Sequence, residues 1–382
     1  VARIRVMIKK RKVLMIDLHC HLDGSITLDI AKKLGELQNI ELPAKSDEAL
    51  LKKLSVPEDC ESLNDFLQCF GLPLRLLQTK EGIAEAVRLV QEDAKDQGIE
   101  YLEIRFAPQL HQINGLSQKE VISAALEGLK QSDLHTNLIL CLMRSDHNQD
   151  ENLETVKLAK KFLAKDNGVV AIDLAGAEGL FKTKDFEKEF TMAKEAGVPF
   201  TIHAGEADGA ESVWSAIKFG AKRIGHGVRI LEDSELLEYV IKNKIPLEMC
   251  PNSNRQTKAV SDMSTYPLRK YLEAGVKVTI NTDDPAICRT NLQKEYDYIQ
   301  KMYGITEDEK KQLLLNAVDA AFCSDEYKDL LINYYEGKDK TIMNAGHKLE
   351  TVSSRLPYLY HMQILLLKEN VLYNDLDKIL DF

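Results

Sequence analysis

A (β/α)8 barrel, an α/β TIM barrel with a helical insertion after its first strand, is the fold predicted by this 382-residue sequence. Three observations carry the prediction. Eight short β-branched runs alternate with stretches of helical periodicity, the pattern of parallel strands joined by crossover helices. Unusual polar residues gather at the C-terminal ends of those runs, where a barrel builds its mouth. The connection after the first run, roughly Ser25 to Gln97, is too long for one crossover. It holds several helical patterns, so an insertion at the mouth is expected. A doubly wound sheet is the rival reading of the same alternation.

The strand candidates are Val13–Leu22, Ile99–Pro108, Asn137–Arg144, Val169–Gly176, Pro199–Gly205, Arg223–Gly227, Ile245–Asn252 and Lys277–Pro285. Between the first two, Lys80–Gln97 repeats Ile83, Val87, Val90 and Ala94 on one face and stops at Gly98. Asp185–Ala196 likewise stops at Gly197, and Val198-Pro199 leads directly into a strand. The barrel is expected over residues 13–337. Residues 1–12 form a basic leader, read as a solvated arm rather than a nucleic-acid contact, and no apolar signal-peptide stretch follows it. Residues 338–382 start polar and run into YLYHMQILLL, an unassigned C-terminal extension.

The chain carries 50 Lys+Arg against 60 Asp+Glu, a formal net charge of −10, which opposes binding to a polyanion such as nucleic acid. A small neutral substrate fits that balance. No apolar run approaches the length that spans a bilayer, so no membrane partner is expected. The seven cysteines are scattered, with no C-x-x-C, and read as reduced thiols of a cytoplasmic protein.

Of nine histidines, His19, His21, His203 and His226 fall at strand ends on the mouth side. Alternation puts Asp17, His19 and His21 on one face of the first strand. Two inward imidazoles make good metal ligands, although an H-x-H pair is equally a pair of satisfied core histidines. On the eighth strand Thr279, Asn281 and Asp283 share a parity, which aims Asp283 inward, while Asp284 leans over the mouth. An Asp-Pro turn explains Asp284 but not Asp283. His203, on the fifth strand, can complete a set of three histidines and one aspartate, a donor set that suits Zn2+. Glu206, beside that ligand, can donate a proton if burial raises its pKa. His226, between two glycines, is free to approach the metal's water. Taken singly, Glu206 and His226 are as well explained as structural residues. Gly176 ends the fourth strand with a backbone N–H at the mouth, or simply makes a tight turn. That strand end has no lysine to bridge two metals, so one metal per chain is expected.

The motifs HCHLDGS, EIRFAP, IDLAG, HAGE, IGHG, CPNSN and NTDDP, in this order, resemble those of the adenosine deaminases in the metal-dependent amidohydrolase superfamily. The resemblance covers about Val13 to Glu336. It implies that one zinc is held by His19, His21, His203 and Asp283, and that Glu206 protonates the purine N1. It further implies that His226 and Asp284 orient and deprotonate the water on the metal. Gly176 is similar to the glycine that meets the purine N3, His21 also borders the substrate, and Asp23 matches the family's aspartate at the ribose end. The implied reaction is hydrolysis of adenosine, and of 2′-deoxyadenosine, to inosine and ammonia, a step of purine salvage. The alternatives are a deaminase of adenine or of an N6-modified adenosine monophosphate, and a catalytically dead purine-binding protein. Asp23 argues for a nucleoside, because free adenine has no ribose hydroxyl for it and a phosphate would be repelled. A dead protein would be expected to lose a ligand, Glu206 or His226, and none is missing.

Overall fold

The computed structural model describes residues 14–57 and 59–336 of the chain. Eight parallel strands follow one another with helices between: β1 (Met15–His21), β2 (Ile99–Phe106), β3 (His135–Met143), β4 (Val169–Ala175), β5 (Thr201–Ala204), β6 (Arg223–His226), β7 (Leu247–Met249) and β8 (Val278–Ile280). They form two four-stranded sheets, β1-β2-β3-β4 and β5-β6-β7-β8. Parallel bridges join both seams, Ile172 to Phe200 on one side and Cys20 to Asp283 on the other. The result is a closed (β/α)8 barrel, and the doubly wound alternative is excluded.

Local chemistry explains the helix bounds. The helix Lys80–Gln97 starts where the Thr79 side chain accepts the Gly82 N–H, and it stops at Gly98, whose φ of 92° suits only a residue without Cβ. Its apolar face (Ile83, Ala86, Val87, Val90) is fully or nearly fully buried. The helix expected from Asp185 begins two residues later, as Glu187–Ala196, behind a 3-10 turn over Thr183–Phe186. The insertion consists of the helices Leu28–Gln38, Asp47–Lys53, Leu63–Leu67 and Gly71–Leu76.

Strands five to eight are shorter than the sequence led one to expect. Each of them ends before or at a residue whose backbone leaves extended geometry: Gly205 (φ 71°), His226 (φ 64°), Pro251, which opens the helix Pro251–Gln256, and Asp283 (φ 63°). β1 also departs from simple alternation, because its register against β2 shifts between Asp17 and Cys20. Asp17 is therefore off the inner face that His21 shares with Arg105, although its carboxylate accepts the His19 backbone N–H at 3.2 Å. Its carboxylate accepts the Thr282 hydroxyl at 2.6 Å, and its charge is felt by Glu295 and Tyr296 of the helix Leu292–Tyr303.

By compactness the chain divides after Asp329. The first unit holds the barrel; of the second, 330–382, only residues 330–336 are described, the end of the helix Asp325–Tyr335 and the residue after it. The basic leader expected at 1–12 and the extension at 338–382 lie outside the described residues. Among the described residues no helix is long and apolar enough to cross a membrane.

Candidate active site

Four side chains converge at the C-terminal mouth. His19 Nε2 and His21 Nε2 lie 3.1 and 3.2 Å from His203 Nε2, and 3.1 and 3.3 Å from Asp283 Oδ1. The other ring nitrogens of two of them face carboxylates: His19 Nδ1 is 2.8 Å from Glu248 Oε2, and His203 Nδ1 is 2.8 Å from Asp173 Oδ2. A proton on each Nδ1 leaves each Nε2 lone pair aimed at the shared point, the usual arrangement behind a metal-bound histidine. Three imidazole nitrogens and a carboxylate oxygen facing one another are a donor set that could hold a cation. The electrostatics agree. Burial holds the His203 ring neutral, down to about 3. Burial also disfavours charge on His21, but Asp284 and Asp283 outweigh it and push that ring up to about 9, so positive charge is drawn to this spot. The donor set fits one metal ion.

Asp283 reaches the cluster by a route its parity on the eighth strand does not describe. β8 ends at Ile280, and Asp283 sits in a left-handed conformation. Its backbone pairs with β1 instead: the Asp283 N–H donates to His19 O at 2.7 Å, and the His21 N–H donates to Asp283 O at 2.8 Å. The seam that closes the barrel thus places the carboxylate of the cluster beside the two β1 histidines.

Below the cluster the barrel interior is charged. Arg105 donates to Asp173 Oδ2 and Glu248 Oε2, both at 2.9 Å, so one guanidinium ties together the two carboxylates that orient His19 and His203. Arg223 bonds Glu248 Oε1 and Glu103 Oε2, both at 2.5 Å. Burial alone would raise Glu248, but Arg105 and Arg223 keep it well below the usual carboxylate range. Sequence reasoning missed these residues. The available signal was a pair of opposite charges at alternate positions of β2, Glu103 and Arg105, on the same parity as the buried Tyr101.

On the pocket side, Glu206 is buried. Burial, then the charges of Asp283 and Glu178, raise its carboxyl to about 8. Its Oε1 accepts the Thr257 hydroxyl at 3.0 Å. His226 Nε2 is 3.5 Å from Glu206 Oε2 and 3.8 Å from Asp283 Oδ2, and burial keeps this ring neutral. His226 Nδ1 is 3.0 Å from Asn254 Nδ2; an amide nitrogen can only donate, so the neutral ring carries its hydrogen on Nε2. Asp284 is buried with Oδ1 lacking a hydrogen-bond partner, and burial plus the charge of Asp283 raise it well above the usual range. Gly24 makes room for it: a Cβ there would come within 1.8 Å of Asp284 Oδ1.

These groups open into a cavity of about 280 Å³. Gly176 (φ 104°) and Asp23 line it, and Leu63, Phe66 and Phe70 of the insertion form an apolar wall. Each residue expected at the site from the sequence is therefore in the metal cluster or on the cavity wall. Asn254, Thr257, Glu178 and the two orienting carboxylates are the additions.

The chain matches the adenosine deaminase family profile over residues 15–336. It is 49% identical over 328 residues to the adenosine deaminase of Haemophilus ducreyi, covering 84% of this chain and 95% of that protein. Among solved structures it resembles the adenine deaminase of Arthrobacter aurescens, with a TM-score of 0.77 at 28% identity over 85% of this chain and 98% of that one. It also resembles the N6-mAMP deaminase of Arabidopsis, with a TM-score of 0.74 at 27% identity over 85% and 98% of the two chains.

Proposed function

The chain belongs to the adenosine deaminase family, and we propose that it hydrolyses adenosine and 2′-deoxyadenosine to inosine and ammonia, with one zinc ion held by His19, His21, His203 and Asp283. The observation that carries this reading is Glu206, a carboxyl whose proton is retained to about 8 on the wall of the cavity that the histidine cluster also lines.

Replacing the C6 amine of a purine by oxygen forms a C6–O bond and breaks a C6–N bond. The ring carbon accepts a nucleophile only if N1 takes up a proton, so an acid that is still protonated at neutral pH is needed. Glu206 is that acid. When bound, the metal supplies Lewis acidity that makes water nucleophilic near neutral pH. His226 presents Nε2–H as an orienting donor. Asp284, with an unpartnered oxygen, would take a proton from the attacking water, Asp283's charge being offset by the bound metal, and pass it to the C6 amine, which leaves as ammonia. We assign the N–H of Gly176 to the purine N3 and the carboxylate of Asp23 to the ribose hydroxyls; the aromatic wall of the insertion excludes water from the base.

The choice of a nucleoside over a nucleotide rests on charge. Asp23 is an acid in the cavity wall. Among the described residues the one arginine lining it is Arg144, whose terminal nitrogens donate to Phe181 O, Thr183 Oγ1 and His203 O. Only its Nε–H is left without a partner, and that atom is buried, so a phosphate would meet the Asp23 carboxylate with little cationic support. Turnover of adenosine, adenine and N6-methyl-AMP by wild type and by Asp23→Ala tests this. The expected result is turnover of adenosine by wild type and a raised KM for adenosine in the variant. Preferred turnover of adenine or the monophosphate by wild type would contradict the reading.

A further inference from the structure

Asn254 touches neither the ligand cluster nor the cavity, yet it lies behind both proton-handling groups. β7 ends at Met249, and Pro251 opens the short helix Pro251–Gln256, which carries Asn254 into a fully buried position. Its Oδ1 accepts the hydroxyl of Tyr266, itself buried, at 3.0 Å. With Oδ1 taking the tyrosine's hydrogen, the amide nitrogen faces inward. Nδ2 then stands 3.0 Å from His226 Nδ1 and 3.5 Å from Glu206 Oε1. The two hydrogens of one carboxamide thus serve the donor histidine and the acid. His226 needs such support, because its backbone is held at a positive φ of 64° between Gly225 and Gly227.

We propose that Asn254, locked by Tyr266, is the positioning residue that aims His226 and Glu206 together and selects the Nε2–H form of His226. The inference rests on the deaminase reading for its kinetic consequence and on hydrogen-bond chemistry alone for the tautomer. Asparagine is required because it has an acceptor for the tyrosine and two donors for the site. Aspartate has the same shape but no hydrogen to give. Placed at 254 it would accept from Nδ1 and draw the ring hydrogen away from Nε2.

The test compares zinc-loaded wild type with Asn254→Ala, Asn254→Asp and Tyr266→Phe, measuring metal content, kcat and KM on adenosine, and the ¹⁵N resonances of the histidine rings. A misplaced catalytic group costs on the order of 10²-fold in rate, so kcat in Asn254→Ala should fall by about that factor, with KM within about threefold of wild type. Asn254→Asp should be at least as slow despite its matching shape, with the neutral His226 hydrogen moved to Nδ1. Tyr266→Phe should show a smaller loss, roughly tenfold, and should add little when combined with Asn254→Ala. Wild-type kcat in Asn254→Asp, or losses that appear only as raised KM or lost zinc, would overturn the proposal. Should both Asn254 variants fail to fold, unchanged kcat in Tyr266→Phe overturns it. A wild type inactive on adenosine refutes the substrate reading instead; the rate comparison then moves to whichever purine wild type deaminates, and the ¹⁵N assignment still decides the tautomer.

Discussion

Glu206 shows how burial turns an ordinary side chain into a reagent. Its pKa is raised from 4.5 to about 8, first by burial and then by Asp283 and Glu178. On the proposed mechanism the protonated form is the working form, so activity should be present below that value and lost as pH rises through it. A bound cation cancels the Asp283 contribution but not burial, and the alkaline limb of kcat/KM should therefore fall at or somewhat below about 8. The stability consequence has the same sign: the folded chain keeps a proton that the unfolded chain releases above 4.5, so this group's contribution to stability falls as pH rises between the two values. Glu206→Gln should keep its metal and lose roughly 10²- to 10⁴-fold in kcat, the usual weight of a general acid; near-wild-type turnover would remove Glu206 from the role. Gly24→Ala makes a second residue-scale test. Its Cβ would meet Asp284 Oδ1 at 1.8 Å, so the carboxylate must move, and kcat should fall sharply while zinc content stays unchanged. Both Glu206 and Asp284 were legible in the sequence from their places at strand ends. Gly24 was not, since nothing local marks a glycine whose purpose is to leave space for a residue 260 positions away.

Secondary structure was legible where a stop signal was local and unreadable where the backbone turned without one. Lys80–Gln97 is legible to the residue because its periodicity and Gly98 agree, and the Thr79 cap confirms the start. β6 and β8 were drawn too long because His226 and Asp283 adopt positive φ, which non-glycine residues rarely do. Asp283 still landed at the site, but through pairing with β1 across the barrel seam. The Asp17 assignment failed because the register shift in β1 follows from pairing with β2 and leaves no mark on β1 itself. The loop after β5 adds a test at this scale. Glu178 accepts the N–H groups of Gly205, Glu206, Ala207 and Asp208 at 2.7–3.1 Å and the Ser212 hydroxyl. Glu178→Gln replaces one of those accepting oxygens by a donor. By the cost of an unsatisfied buried group it should destabilise the fold by about 1–3 kcal/mol. Chemical denaturation reads that loss directly, and a stability within error of wild type would show that the loop holds itself.

The candidate metal cluster draws on both four-stranded sheets: its residues come from β1, from β5 and from the segment after β8. Behind it, Arg105 and Arg223 bridge carboxylates of β2, β4 and β7 in a fully buried network. Removing one partner of such a network leaves an uncompensated charge, typically a loss of about 3–5 kcal/mol. An ion that binds only the folded chain stabilises it by mass action, about 4 kcal/mol at a thousandfold excess over Kd. Exhaustive chelation should accordingly lower Tm, and stoichiometric zinc should restore it; a Tm indifferent to chelation would separate the cluster from any metal. This charged interior was the least legible part of the sequence, because strand periodicity reports which residues face inward but not which charges meet across a barrel.

The most direct test of the account is the ultraviolet absorbance of adenosine incubated with the purified protein, before chelation, after it, and after zinc is returned. The account predicts that conversion to inosine proceeds, stops when the metal is removed and resumes with one zinc per chain. Conversion that continues in metal-free folded protein, or folded zinc-loaded protein that leaves adenosine unchanged, would contradict it.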